Sequence, residues 1–160
     1  MSTLKTLQQL PQLFRYADVQ KFTANANVFL TRALKQGLIE RLARGVYINA
    51  AIKGMPQIEE AACFIRTPCY ISCEWALNYH GITIQAPTVC TVITLSTAVG
   101  DSRRLSWHGV SIEFSRIAER LFTGFTSGSK SWRITGACID GYKQKVKSRE
   151  DLARRHRSFC

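Results

Sequence analysis

An α+β fold is the class this sequence predicts, and three observations carry it. Within the first fifty residues, three short stretches with helical spacing precede two strand-like runs joined across Ala43–Arg44. From residue 51 to 125, helical segments alternate with β-branched, strand-like ones such as "PTVCTVITLS". Hydrophobic residues make up 46% of the 160-residue chain, which supports a packed core and argues against global disorder.

Leu4, Leu7 and Leu10 recur at three-residue spacing, predicting a first amphipathic helix that Pro11 stops. "FRYADVQKF" reads as a second short helix, with Ala17, Val19 and Phe22 expected on its buried side. "TANAN" is a polar break, and "ANVFLTRALKQG" a third helix closed by Gly37. "LIERL" and "GVYIN" then form a small hairpin. Leu38 and Leu42 are expected to pin its first strand to the core and Val46 and Ile48 its second. Arg41 and Arg44 would face outward, and Tyr47 is open between core packing and backbone contact.

Three helices and a hairpin in this order predict a winged helix-turn-helix over residues 1–50. In such a unit the second and third helices meet at a steep angle, the third enters the DNA major groove, and the hairpin is the wing beside it. At about 100° per residue, Ala26, Leu30, Ala33 and Leu34 share one side of the third helix. The other side collects Asn25, Val28, Thr31, Arg32, Lys35 and Gln36, with Phe29 at the boundary. Amides, a hydroxyl and cations are the groups that bond base edges and phosphates. An ordinary amphipathic surface helix would look similar, so the argument needs the hairpin and the charge as well.

The net charge of +11 is unevenly spread. Residues 1–50 carry seven Lys/Arg against two Asp/Glu, residues 51–125 six against six, and residues 126–160 nine against three. Basic ends around a neutral middle suggest polyanion contact at the ends. The middle reads as two helices, "MPQIEEAACFI" and "SCEWALNYHG", split by the apolar "PCYIS". A strand follows, and then two strands joined at His108–Gly109, with Val110, Ile112 and Phe114 alternating. This predicts a small α+β domain over residues 51–125, suited to dimerising or holding a partner rather than gripping DNA.

Groups for catalysis are sparse. His80 ends a helix, His108 sits at a hairpin turn and His156 in the basic tail. Glu59, Glu60 and Glu74 read as solvated or capping carboxylates rather than a matched acid/base pair. Phosphate-cradling, zinc-protease and nucleophile-elbow motifs are all missing from the sequence. Cys63, Cys69 and Cys73 have neither a CxxC pair nor a nearby histidine, so the six cysteines are expected to be reduced and mostly buried, without metal. The expectation is a non-enzyme without cofactors. No stretch approaches the ~20 apolar residues of a membrane span, and no signal-peptide pattern opens the chain, so a cytoplasmic location is expected.

Several ordered blocks carry a family resemblance. "RALKQGLIERLARGVYINA", "YISCEWALNYHGITIQAPTVCTVIT" and "LSWHGVSIEFSRIAERLFTGF", together spanning roughly residues 5–125, resemble the AbiEi family. Its members are the antitoxins of type IV toxin–antitoxin pairs from abortive-infection systems. The resemblance implies a winged helix that binds an inverted repeat in its own promoter, as a homodimer on double-stranded DNA, and represses transcription. It also implies antitoxin activity against a nucleotidyltransferase-like toxin, without a stable complex. Carried onto this chain, it makes Asn25, Thr31, Arg32 and Lys35 in the helix, and Arg41 and Arg44 in the wing, the DNA-contact candidates. Ser72, Glu74, Tyr79, His80 and Gly81 match a second family block and read as structural, with Gly81 ending the helix and Tyr79 packing. An alternative function is a protein-interaction module or antitoxin with no sequence-specific DNA binding.

Family members usually continue after "GF" with a strand and an "IATPEKAL"-like helix. Here "SWRIT" resembles only the start of that block, which predicts a C-terminally shortened member. Residues 126–160 are expected to be a basic tail. Lys143 to Arg157 read either as a basic arm attracting phosphates or as a disordered remnant of a lost domain.

Overall fold

A computed structural model describes residues 3–96, 103–127 and 133–135. Cys138, His156, Cys160 and the tail from Lys143 to Arg157 lie outside the described residues. The chain is α+β and divides into two compact units, the first reaching Ile65 and the second starting at Arg66.

The first unit opens with helix α1 (Thr3–Gln9), followed by strand β1 (Leu13–Arg15), helix α2 (Tyr16–Gln20) and helix α3 (Ala26–Lys35). Strands β2 (Ile39–Ala43) and β3 (Val46–Asn49) make the hairpin, and helix α4 (Ile58–Ile65) ends the unit. The three strands form one antiparallel sheet in the order β1-β3-β2. This is a winged helix-turn-helix with one more strand than the sequence predicts. Phe14 and Arg15, expected in the second helix, are drawn into extended backbone by pairing with Tyr47 and Val46. That leaves α2 a little over one turn, which buries Val19 and leaves Ala17 and Phe22 exposed.

One core knits the unit together. Leu7, Leu10, Phe14, Val19, Ala26, Leu30, Ala33, Ile39 and Tyr47 form it, with Tyr16, Phe29 and Leu38 packed at its margin. Tyr47 therefore resolves to core packing, its ring stacked on Phe14 at 5.6 Å between centroids. At its centre sits Asn49, fully buried. Its side-chain Nδ2 donates to the carbonyls of Leu7 (2.8 Å) and Leu10 (3.2 Å), and its Oδ1 accepts from the Ala51 N–H (3.2 Å). The Leu10 carbonyl just past the end of α1 is thus satisfied from β3, and the Leu7 carbonyl accepts both from Asn49 and from the Leu10 N–H at 3.1 Å.

The second unit is built on a mixed six-stranded sheet. Its elements are β4 (Cys69–Ser72), α5 (Cys73–Tyr79), β5 (Val89–Thr94), β6 (Arg104–Trp107), β7 (Val110–Arg116), β8 (Phe125–Ser127) and β9 (Arg133–Thr135). The spatial order is β6-β7-β5-β4-β9-β8, with β5–β7 and β4–β9 parallel and the other pairs antiparallel. Alternate residues of the central strands, Cys90, Val92 and Thr94 on β5 with Ile112 and Phe114 on β7, are buried on one face. On the other face Tyr70 packs between Phe122 and Phe125 at 5.1 and 5.2 Å. His108 and Gly109, both at positive φ, make the tight turn between β6 and β7. Cys63, Cys69, Cys73 and Cys90 are thiols rather than disulfides, all buried except Cys73.

Candidate nucleic-acid interface

α3 is positioned by small residues and by its ends. Ala26, Leu30 and Ala33 are buried, and two alanines let the helix lie close to its neighbours. Lys21–Asn25 form the connection from α2, with the Phe22 and Thr23 N–H groups both bonded to the Val19 carbonyl. Asn25 stands at the N-cap position but makes no capping bond through its side chain. At the C-terminus, Gly37 takes φ +66°, the Gly37 N–H bonds the Leu34 carbonyl at 3.1 Å and the Leu38 N–H bonds the Ala33 carbonyl at 3.0 Å. This paired closure is a Schellman motif, and it turns the chain directly into the wing.

The opposite side of α3 is solvent-facing. Val28, Thr31, Arg32 and Lys35 are exposed, flanked by Asn25 and Gln36 at the two ends. Leu34, expected to be buried, is 38% exposed, because Leu38 rather than Leu34 reaches the core once the Schellman turn has closed. Thr31 Oγ1 donates to the Asn27 carbonyl at 2.8 Å, one turn earlier.

In the wing, strict alternation from the buried Ile39 would send Arg41 into the core. A bulge between Arg41 and Ala43 breaks the alternation. Leu42, within the bulge, is buried along with Ile39, and Arg41 before it is exposed. Arg44 is exposed in the turn itself, followed by Gly45 at φ +74°, whose carbonyl accepts the Tyr16 N–H at 3.0 Å. The wing is thereby tied to the start of α2.

Not every cation of this unit is available to a ligand. Arg15 spans to α4, where its Nη2 donates to the Phe64 carbonyl at 2.6 Å and its guanidinium lies 5.0 Å from the Phe64 ring centroid. Lys21 pairs with Asp18 at 2.8 Å. That hydrogen bond first, and the Arg15 backbone N–H second, hold the Asp18 carboxyl below its ordinary value of 3.8. Both contacts escaped the reading of the sequence. The Lys21–Asp18 spacing of three on a helical stretch is a signal that was there to find, whereas nothing local links Arg15 to Phe64.

In the second unit the segment "SCEWALNYHGI" is a helix and its cap. Gly81, at φ +69°, bonds the Asn78 carbonyl and Ile82 the Leu77 carbonyl, both at 2.9 Å. Gly81 ends the helix as expected. Tyr79 does not pack as expected: it is 53% exposed, in an edge contact with the exposed His80 ring. Glu60 caps α4 by accepting the Gln57 N–H at 3.3 Å.

Comparison with known proteins places the matched region over this first unit. Residues 2–50 match the model of a family described as "Transcriptional regulator, AbiEi antitoxin". No curated protein matches the chain.

Proposed function

From the premise that residues 2–50 belong to the AbiEi antitoxin family of transcriptional regulators, we propose that the protein is an autorepressor that binds an inverted repeat in its own promoter. The carrying observation is the exposed side of α3. Thr31, Arg32 and Lys35 face solvent there, directly opposite the buried Ala26, Leu30 and Ala33. α3 enters the major groove, where Asn25, Thr31 and Arg32 reach base edges and Lys35 reaches bases or phosphates. Arg41 and Arg44 on the wing contact the flanking backbone. Two copies bind the two half-sites as a dimer, which matches the two-fold symmetry of an inverted repeat.

The test is a mobility-shift titration of the full chain on the DNA upstream of its own gene, at low salt. The expected result is a retarded complex that survives excess unrelated duplex. The antitoxin part of the family description supports the second reading, action against a nucleotidyltransferase-like toxin without sequence-specific DNA binding. No retarded complex at low salt would overturn the repressor reading in favour of that one.

A further inference from the structure

Among the polar and charged groups on the outer side of α3 lies one apolar side chain. Val28 is 48% exposed, on the face from which Thr31, Arg32 and Lys35 project. At about 100° per residue, Val28 falls within about 20° of Lys35 and about 60° of Thr31 around the helix axis. It stands on the first turn of α3, which begins at Ala26. Residues of the N-terminal turns are those that reach base edges when a recognition helix docks. A β-branched residue on an exposed helix face also lowers helix propensity relative to alanine, so local stability does not explain it.

Thr31 adds a second constraint. Its Oγ1 donates its single proton to the Asn27 carbonyl at 2.8 Å. The hydroxyl oxygen is left as an acceptor, and the threonine methyl remains. The first two turns of α3 thus offer apolar carbon beside an acceptor. In the major groove only thymine carries a methyl group, and only adenine and cytosine offer an amino donor.

We infer that Val28 is a specificity-determining residue that packs on the 5-methyl group of a thymine in each half-site, with Thr31 accepting from the amino group of a neighbouring adenine or cytosine. This rests on α3 being the recognition helix of the proposed repressor. Arg41 and Arg44 on the wing supply attraction to any duplex, whereas Val28, beside the base-reading Arg32, supplies a preference that only thymine can satisfy.

The experiment uses the full chain to select duplexes from a random pool, and then replaces each thymine of the enriched site by deoxyuridine, which removes the methyl group alone. Replacement in one half-site is expected to weaken binding about fourfold, the effect of losing one buried carbon, and replacement in both half-sites about sixteenfold. In Val28→Ala, which leaves the fold intact because the side chain is exposed, thymine and deoxyuridine sites should bind equally. Three outcomes overturn the inference. An enriched site indifferent to deoxyuridine shows that no methyl is read. Undiminished discrimination in Val28→Ala assigns the methyl contact to another residue. Failure to enrich any sequence removes base reading by α3 altogether, and the inference with it.

Discussion

Asn49 shows how a single polar side chain organises the winged helix. Its position at the end of "GVYIN" reads as the last residue of a strand, yet its amide joins β3 to the end of α1 across forty residues of sequence. Local pattern cannot reveal such a bond, because the partners are backbone carbonyls brought close only by the fold. Asn49→Ala is expected to destabilise the chain by about 1–3 kcal/mol, since two buried hydrogen bonds are lost and the Leu10 carbonyl loses its side-chain donor. Chemical denaturation would check this. Asn49→Asp should lose at least as much at neutral pH, because a carboxylate there faces two carbonyl oxygens. Burial and that repulsion raise the folded-state pKa of the new group, so its deficit should shrink as pH falls and the carboxyl becomes a donor. The residues of α3 were more legible. Seven-residue repeats of exposure are set by helix geometry alone, and the solvent-facing set Val28, Thr31, Arg32 and Lys35 is the one that spacing predicts. Leu34 and Tyr79 share a position that the helical spacing misjudges: each lies in the last turn before a glycine cap, where the chain swings away from the helix, and each is exposed.

At the scale of elements, α3 and α5 end in the same way. Gly37 and Gly81 each adopt positive φ and each close a paired set of bonds back onto the last turn. A side chain at Gly37 would meet nothing within 4 Å, so its substitution is penalised by backbone conformation rather than by crowding. Gly37→Ala should therefore destabilise by about 1–2 kcal/mol, the cost of left-handed backbone for an L-residue. Gly37→Asn should lose less, because asparagine tolerates that region better. Denaturant midpoints of the two variants would decide; equal stability of Gly37→Ala and the parent would mean the cap is not holding the helix end. The glycine caps were legible because glycine after a periodic segment has one common use. Strand β1 was not. Its three residues, Leu13–Arg15, are extended only because β3, more than thirty residues later, pairs with them. The wing bulge was equally hidden, although the buried Leu42 and the exposed Arg41 beside it are what the hairpin pattern predicts.

Across the whole molecule, charge divides along the chain. The first unit uses Arg15 and Lys21 for internal contacts and leaves Arg32, Lys35, Arg41 and Arg44 on the helix face and wing. The family match stops at residue 50, within that unit. The second unit is a mixed sheet whose strands were largely legible from β-branched alternation, whereas its order was not. Placing β9 beside β4, and β5 parallel to β7, depends on pairings between distant segments that hydrophobic pattern does not encode. Under the proposed function, α3 reads bases while the wing holds phosphates. The decisive measurement is the affinity of Arg32→Ala and Arg44→Ala for the selected site and for an unrelated duplex, across a salt series. Arg44→Ala should weaken both duplexes alike and reduce the salt slope by about one. Arg32→Ala should lose about 1–3 kcal/mol of discrimination between the two duplexes. If both variants weaken both duplexes by the same amount, α3 is not reading bases and the account is contradicted.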